Sequence, residues 1–378
     1  MAEIQGTCDE RFNAVRDVFA NNLDSGQDVG ASTAVVLDGE LVVDIWGGVT
    51  DTETNAPWER DTIINVWSTT KTMAALSVLV LADRGEVDLY APVADYWPEF
   101  KANGKEGVCV RHCMSHTAGL AGWDPPLALE ELYDWDRATS VLAAQEPWWE
   151  PGTASGYHAV TQGYLLGEIV RRVTGKSIGT FFAEEIAGPT GADFHIGTPA
   201  ECDSRIARVI PPPDAISPEG LDPTSVVART FGSITGGLGA EMSWTEPWRR
   251  AEIPAANGHG NARSVAIAQS AIANGGVAVG GTKLLSPATI ENIFDVQAQG
   301  TDLVLGVPMK LGIGYGLTGE EIPLSANKAC FWGGWGGSIV VNDLDKRMTV
   351  AYVMNRMGEG TTGDIRGASL VVTALNAI

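Results

Sequence analysis

The run Met73-Ala74-Ala75-Leu76-Ser77-Val78-Leu79-Val80-Leu81 carries no charge and a single hydroxyl. Wound as a helix it is apolar on nearly every face, and such a helix is covered by protein on all sides. Ahead of it stands Ser68-Thr69-Thr70-Lys71. Residues three apart share a helix face, so Lys71 is placed one turn from Ser68. A serine hydroxyl is a weak nucleophile that needs an adjacent base. Ser68 falls at the helix N-terminus, where free N–H groups and the dipole favour developing negative charge. Lys71 sits at the unfavourable end of that dipole, and a buried lysine with a lowered pKa is what a catalytic amine requires. The alternative is an ordinary serine cap followed by an exposed lysine.

A second copy of the spacing, Ser325-Ala326-Asn327-Lys328, runs into Ala329-Cys330-Phe331-Trp332-Gly333-Gly334, a short strand ending in glycines. With no helix to hold the pair together, it reads as a surface loop. A serine–lysine pair also needs a group to shuttle the proton, and Tyr157, in a Pro- and Gly-rich loop before a helix, is the candidate. A phenol beside ammonium groups loses its proton more easily than free tyrosine. The glycine-rich run Phe331 to Ser338 allows close backbone approach and a second oxyanion donor. His116 would be the base of a Ser–His–Asp site. Ser68 already has a base candidate in Lys71, so His116 reads as a structural histidine.

A net charge of −22 argues against nucleic acid and anionic membrane surfaces as partners. The five cysteines are odd in number and scattered, so no disulfide framework is expected. Cys109, His112, Cys113 and His116 lie within eight residues and lack the separated second ligand pair of a structural zinc site. No metal or cofactor is expected. The N-terminus shows neither a basic nor an apolar leader segment and no run reaches membrane-spanning length, which suggests a soluble, cytoplasmic protein.

Residues 11–25 have helical periodicity, and two strands flank Asp38-Gly39 as a hairpin. Residues 86–290 are mostly helical patterns broken by Pro and Gly. The stretch from Pro211 to Pro223 holds five prolines and reads as a rigid surface loop. Strands return after residue 312, and a closing helix spans roughly 364–377. The predicted architecture is α/β (α+β): one antiparallel sheet built from both chain ends (1–85 and 291–378) and flanked by helices. A mostly helical lobe (86–290) is inserted, with the catalytic cleft between the two.

These pieces resemble the serine β-lactamase and penicillin-recognising superfamily, and within it the family VIII carboxylesterases. Ser68-Thr69-Thr70-Lys71 matches the first motif, and Tyr157-His158-Ala159 stands at the Tyr-x-Asn position. Trp332-Gly333-Gly334 stands where β-lactamases carry Lys-Thr-Gly, and His116-Thr117-Ala118-Gly119-Leu120 is similar to a recurrent His-Thr-Ser-Gly-Leu. The resemblance implies a β-lactamase-like fold, with Ser68 as acylated nucleophile and Lys71 and Tyr157 as joint base. It further implies an oxyanion hole from the backbone N–H groups of Ser68 and Trp335, and substrate contacts at Trp332, Gly333, Gly334 and His158. Trp332 in place of the lysine and Ala159 in place of the asparagine point away from anionic amides. They point towards neutral, short-chain carboxylic esters, with a small-molecule ester as the expected substrate and the oligomeric state left open. Amidase, peptidase, weak β-lactamase or acyltransferase chemistry on the same site remain alternatives. A non-catalytic binding protein is disfavoured by the intact Ser68, Lys71 and Tyr157.

Overall fold

Strands Gly30–Leu37 (β2) and Glu40–Gly48 (β3) meet at Asp38-Gly39, both with positive φ (51° and 79°). Two left-handed residues in a tight turn match the twist of the flanking strands, and Asp-Gly is a pair that tolerates them. The hairpin lies inside a nine-stranded antiparallel sheet of the computed structural model, which describes residues 2–213 and 220–378. The remaining strands are Ile4–Cys8 (β1), Ala298–Thr301 (β4), Pro308–Leu311 (β5), Gly316–Leu317 (β6), Ala329–Gly333 (β7), Ile339–Asp343 (β8) and Met348–Met354 (β9). Their order is β1-β3-β2-β9-β8-β7-β6-β5-β4, so β2 and β9, from opposite ends of the chain, pair at the centre.

The central strands β2, β8 and β9 are buried at every position, because helices cover both faces. Asn13–Asp24 (α1) and Ile365–Leu375 (α5) pack together, α5 lying on β8 and β9. Ala262–Ala273 (α4) covers β2, β8 and β9. The sequence places residues 262–273 in the helical lobe; their packing puts them in the sheet layer instead. Their almost continuous apolar run is what a helix between sheet and protein requires.

The helix Thr70–Asp83 (α2) is buried from Thr70 through Leu81. It packs against Thr161–Thr174 (α3), the short helix Ile178–Phe182 and α4, as an all-round apolar helix must. It ends with Arg84 as its cap and Gly85 at φ 72°. The edge strand β1 and two two-residue pairings escaped the sequence reading; these pair Ile64–Asn65 with His259–Gly260 and Leu127–Ala128 with Ile234–Thr235. Such short segments offer too few residues for a period to show. Of the proline-rich stretch 211–223, positions 214–219 lie outside the described residues.

Candidate active site

The Ile64–Asn65 pairing delivers the chain to the nucleophile. Val66 N–H donates to Gly258 O (2.9 Å), and Thr70 Oγ1 accepts from Gly258 N–H (2.9 Å) while donating to Trp67 O (2.5 Å). Between them Trp67 is held at φ 49°, a left-handed conformation rare for a bulky residue and characteristic of constrained functional sites. From the other side Gly334 follows β7. A Cβ there would stand 2.3 Å from Val66 O and 3.3 Å from Ser68 N, so only glycine allows this approach. Ser338 Oγ donates to Val66 O (2.8 Å) and bonds Thr69 Oγ1 (2.9 Å).

Lys71 is 1% exposed, and burial holds its amine well below the usual lysine range. Its Nζ lies 3.0 Å from Ser68 Oγ, 2.7 Å from Ala159 O and 2.9 Å from Ala255 O. A neutral amine has two protons, which the two carbonyls accept, and its lone pair then faces Ser68. Tyr157 donates its hydroxyl to Ser68 Oγ at 2.5 Å, and its ring centroid lies 4.7 Å from Lys71 Nζ. The sequence suggests an easily ionised phenol; the structure corrects this. Burial raises the Tyr157 pKa above its ordinary value, only partly opposed by Ser68 and Trp332, so the phenol rests protonated. Asp302 fixes this loop by accepting the N–H groups of Tyr157 (3.0 Å), Val304 and Leu305 (2.9 Å each).

Several residues assigned to substrate do something else. His158 is fully buried. Its Nδ1 bonds Gly156 O (2.6 Å) and its Nε2 accepts from Leu120 N–H (3.1 Å), so both ring nitrogens are occupied in joining two loops. Trp332, 2% exposed, lies behind Tyr157 (ring centroids 5.8 Å) and against His116 (5.1 Å). Its indole nitrogen makes no regular hydrogen bond among the described residues, yet approaches the Tyr157 hydroxyl closely enough to oppose the effect of burial. It supports the phenol and does not form a pocket wall. Gly333 and Gly334 serve close packing; a Cβ at Gly333 would stand 2.2 Å from Thr362 O. His116 accepts the His158 N–H at Nδ1 (3.1 Å) and stacks edge-on to Tyr157 (5.1 Å), the structural role expected of it.

Ser68, Tyr157 and Trp335 open onto a cavity of about 540 Å³. Trp67, Trp123, Val160, Phe231, Ile234 and Leu238 supply its apolar surface, and among the described residues no lysine, arginine, aspartate or glutamate lines it. The 230–238 wall and the two carbonyls on Lys71 escaped the sequence reading. The glycines at 232, 236, 237 and 239 were the one available signal for that wall, whereas a backbone acceptor leaves none.

Comparisons with known proteins agree with this fold. The sequence profile of the beta-lactamase family, described as "Beta-lactamase", matches residues 15–374. The chain is 37% identical to the "Esterase/beta-lactamase LipL" of Mycobacterium tuberculosis (strain ATCC 25618 / H37Rv), covering 93% of this chain and 83% of that one. Its structure is similar to the crystal structure of a family VIII carboxylesterase, with TM-score 0.92, 42% identity and full coverage of both chains. It is also similar to a penicillin-binding protein homolog from Caulobacter crescentus, with TM-score 0.91, 38% identity and full coverage of both.

Proposed function

The chain belongs to the beta-lactamase family, and from that premise we propose that it is a serine carboxylesterase cleaving neutral esters, short-chain ones included, through an acyl-enzyme on Ser68. The observation that carries this reading is a Ser68 hydroxyl within hydrogen-bond reach of both the buried Lys71 amine and the Tyr157 phenol, at an apolar cavity whose described lining holds no charged side chain. Lys71 takes the Ser68 proton as Oγ bonds to the ester carbonyl carbon. The carbonyl oxygen becomes an oxyanion facing the backbone N–H groups of Ser68 and Trp335. As the carbon–oxygen bond to the alcohol breaks, Tyr157 gives its proton to the departing alkoxide, and the Lys71 ammonium restores it. The same relay in reverse activates water for deacylation, returning the acid and free enzyme.

The lining also argues for esters over β-lactams. A β-lactam carboxylate needs a cation, and no lysine or arginine among the described residues lines this cavity. The test is a profile of p-nitrophenyl butyrate beside a chromogenic cephalosporin. The expected outcome is kcat/KM for the ester at least about a hundredfold higher. Comparable rates, or no ester hydrolysis, would overturn the reading. No helix among the described residues is long and apolar enough to cross a membrane.

A further inference from the structure

The two residues that flank Trp335 have their backbone groups fully engaged. Gly334 N–H donates to Ser338 O (2.7 Å), and Gly334 O accepts from Gly363 N–H (3.0 Å) and Gly337 N–H (3.2 Å). Gly336 N–H donates to Gly360 O (2.8 Å), and Gly336 O accepts from Gly358 N–H (2.7 Å). The Trp335 N–H between them has no hydrogen-bond partner among the described residues, although Trp335 lines the catalytic cavity. Buried backbone donors are nearly always paired. One left open at the cavity of Ser68, and held from both sides, is what a preorganised oxyanion site requires.

The hold on Gly336 is completed from beneath the loop. Arg366, the second residue of α5, donates from Nη2 to Gly336 O at 2.6 Å. Its Nε and Nη2 also donate to Asp364 Oδ2 (2.9 and 2.5 Å), and its Nη1 donates to Asp28 Oδ1 (2.8 Å). Asp28 Oδ1 accepts the Tyr352 hydroxyl as well, at 2.6 Å. Asp28 stands just before β2 and Tyr352 lies in β9, so the guanidinium is tied to the two central strands of the sheet. The Arg366 side chain is 6% exposed and that of Asp28 fully buried. A Cβ at Gly337 would stand 2.6 Å from Asp364 Oδ2 and 2.7 Å from Arg366 Nη2, so the loop rests directly on the ion pair. Buried ion pairs add little net stability over apolar packing of the same volume. A planar guanidinium does fix several acceptors in one geometry, which apolar packing cannot do.

We propose that Arg366 is a positioning residue for ester hydrolysis: anchored by Asp28 and Asp364, it fixes the Gly336 carbonyl and so aims the Trp335 N–H at the oxyanion. The inference rests on the Ser68 esterase reading and adds to it the support of its second oxyanion donor. Arg366 does not line the cavity and acts only through the loop.

The test is Arg366→Lys, which keeps a cation and removes the fork. It reads kcat and KM for p-nitrophenyl butyrate, and the Ki of butylboronic acid, whose tetrahedral adduct on Ser68 places an oxygen where the oxyanion forms. The expected outcome is a kcat lower by about ten- to a hundredfold with KM within about twofold, and a Ki raised by a comparable factor. A urea melt checks that the variant is folded. If it does not fold, Asp364→Asn replaces it, with a smaller fall in kcat and a matching rise in Ki expected. A folded variant that is merely less stable, with kcat and Ki unchanged, would overturn the positioning role. A wild type that does not hydrolyse p-nitrophenyl butyrate would instead overturn the esterase reading.

Discussion

Ser68-Thr69-Thr70-Lys71 and Ser325-Ala326-Asn327-Lys328 share a spacing and little else. In the first, helical geometry directs Lys71 Nζ to Ser68 Oγ at 3.0 Å, and burial removes the water that would keep the amine charged. In the second, no helix joins the pair. Ser325 donates to Asp343 (2.6 Å), and Lys328 turns away to Glu291 at 2.6 Å, with its side chain 36% exposed. The contrast teaches that the motif's chemistry lies in what surrounds it. The first copy has the carbonyls of Ala159 and Ala255, the phenol of Tyr157 and an apolar cavity, while the second faces solvent and carboxylates.

The strongest way to break the comparison is to exchange the serines. Ser68→Ala should lower kcat by roughly four to six orders of magnitude with the fold intact. Ser325→Ala should leave esterase kinetics within about twofold, and the lost hydrogen bond to Asp343 should cost about 1 kcal/mol in a urea melt. Equal losses would mean that the environment does not separate the two copies.

The lysines and the phenol give the next largest effects. Lys71→Ala and Tyr157→Phe should each cost nearly as much as Ser68→Ala, and the double variant scarcely more, because groups acting on one proton are not additive. Lys328→Ala should change stability by under about 1 kcal/mol, as expected for an exposed pair. If His116→Ala in a folded enzyme matched Lys71→Ala, a histidine base would replace the lysine.

A smaller effect separates support from contact. Trp332→Phe keeps the ring behind Tyr157 and removes the indole N–H, so kcat on p-nitrophenyl butyrate should fall about two- to tenfold. KM should hardly move, because the ring does not line the cavity. A rise in KM with unchanged kcat would restore Trp332 to the substrate wall.

These expectations show which parts of the site the sequence reveals. Ser68 and Lys71 are legible because three residues on a helix fix a geometry locally, and the apolar run after them announces burial. Tyr157 and Trp335 are legible through their motifs, since distant loops carry no period of their own. His158 misleads because it adjoins Tyr157 in sequence while its ring points beneath the loop to Gly156 and Leu120. The fold is legible where both chain ends show strands. The helix 262–273 was misplaced because an apolar run alone does not say whether it faces a sheet or other helices.

Acid should also separate the buried interior from the surface. Burial pushes His112 and His158 to about 4 and His259 to about 3, and holds His116 well below its ordinary 6.5. Below pH 6.5 the unfolded chain binds protons that the folded one refuses, so stability present at pH 7 is lost as pH falls towards 4. Each buried histidine contributes on the order of 1.4 kcal/mol per pH unit within that window. Urea midpoints at pH 7, 5.5 and 4.5 should decline in step, and a flat profile would show that these rings take up protons in the native state.

Lys71, its amine held by burial below the usual lysine range, is expected to make Ser68 and no other serine reactive. The direct measurement is peptide mass mapping after exposure to a p-nitrophenyl organophosphate, on wild type and on Lys71→Ala. The account predicts one adduct, on the peptide containing Ser68, and labelling slowed by at least about a hundredfold in the variant. An adduct on Ser325 or another serine, or equally fast labelling of Ser68 without Lys71, would contradict it.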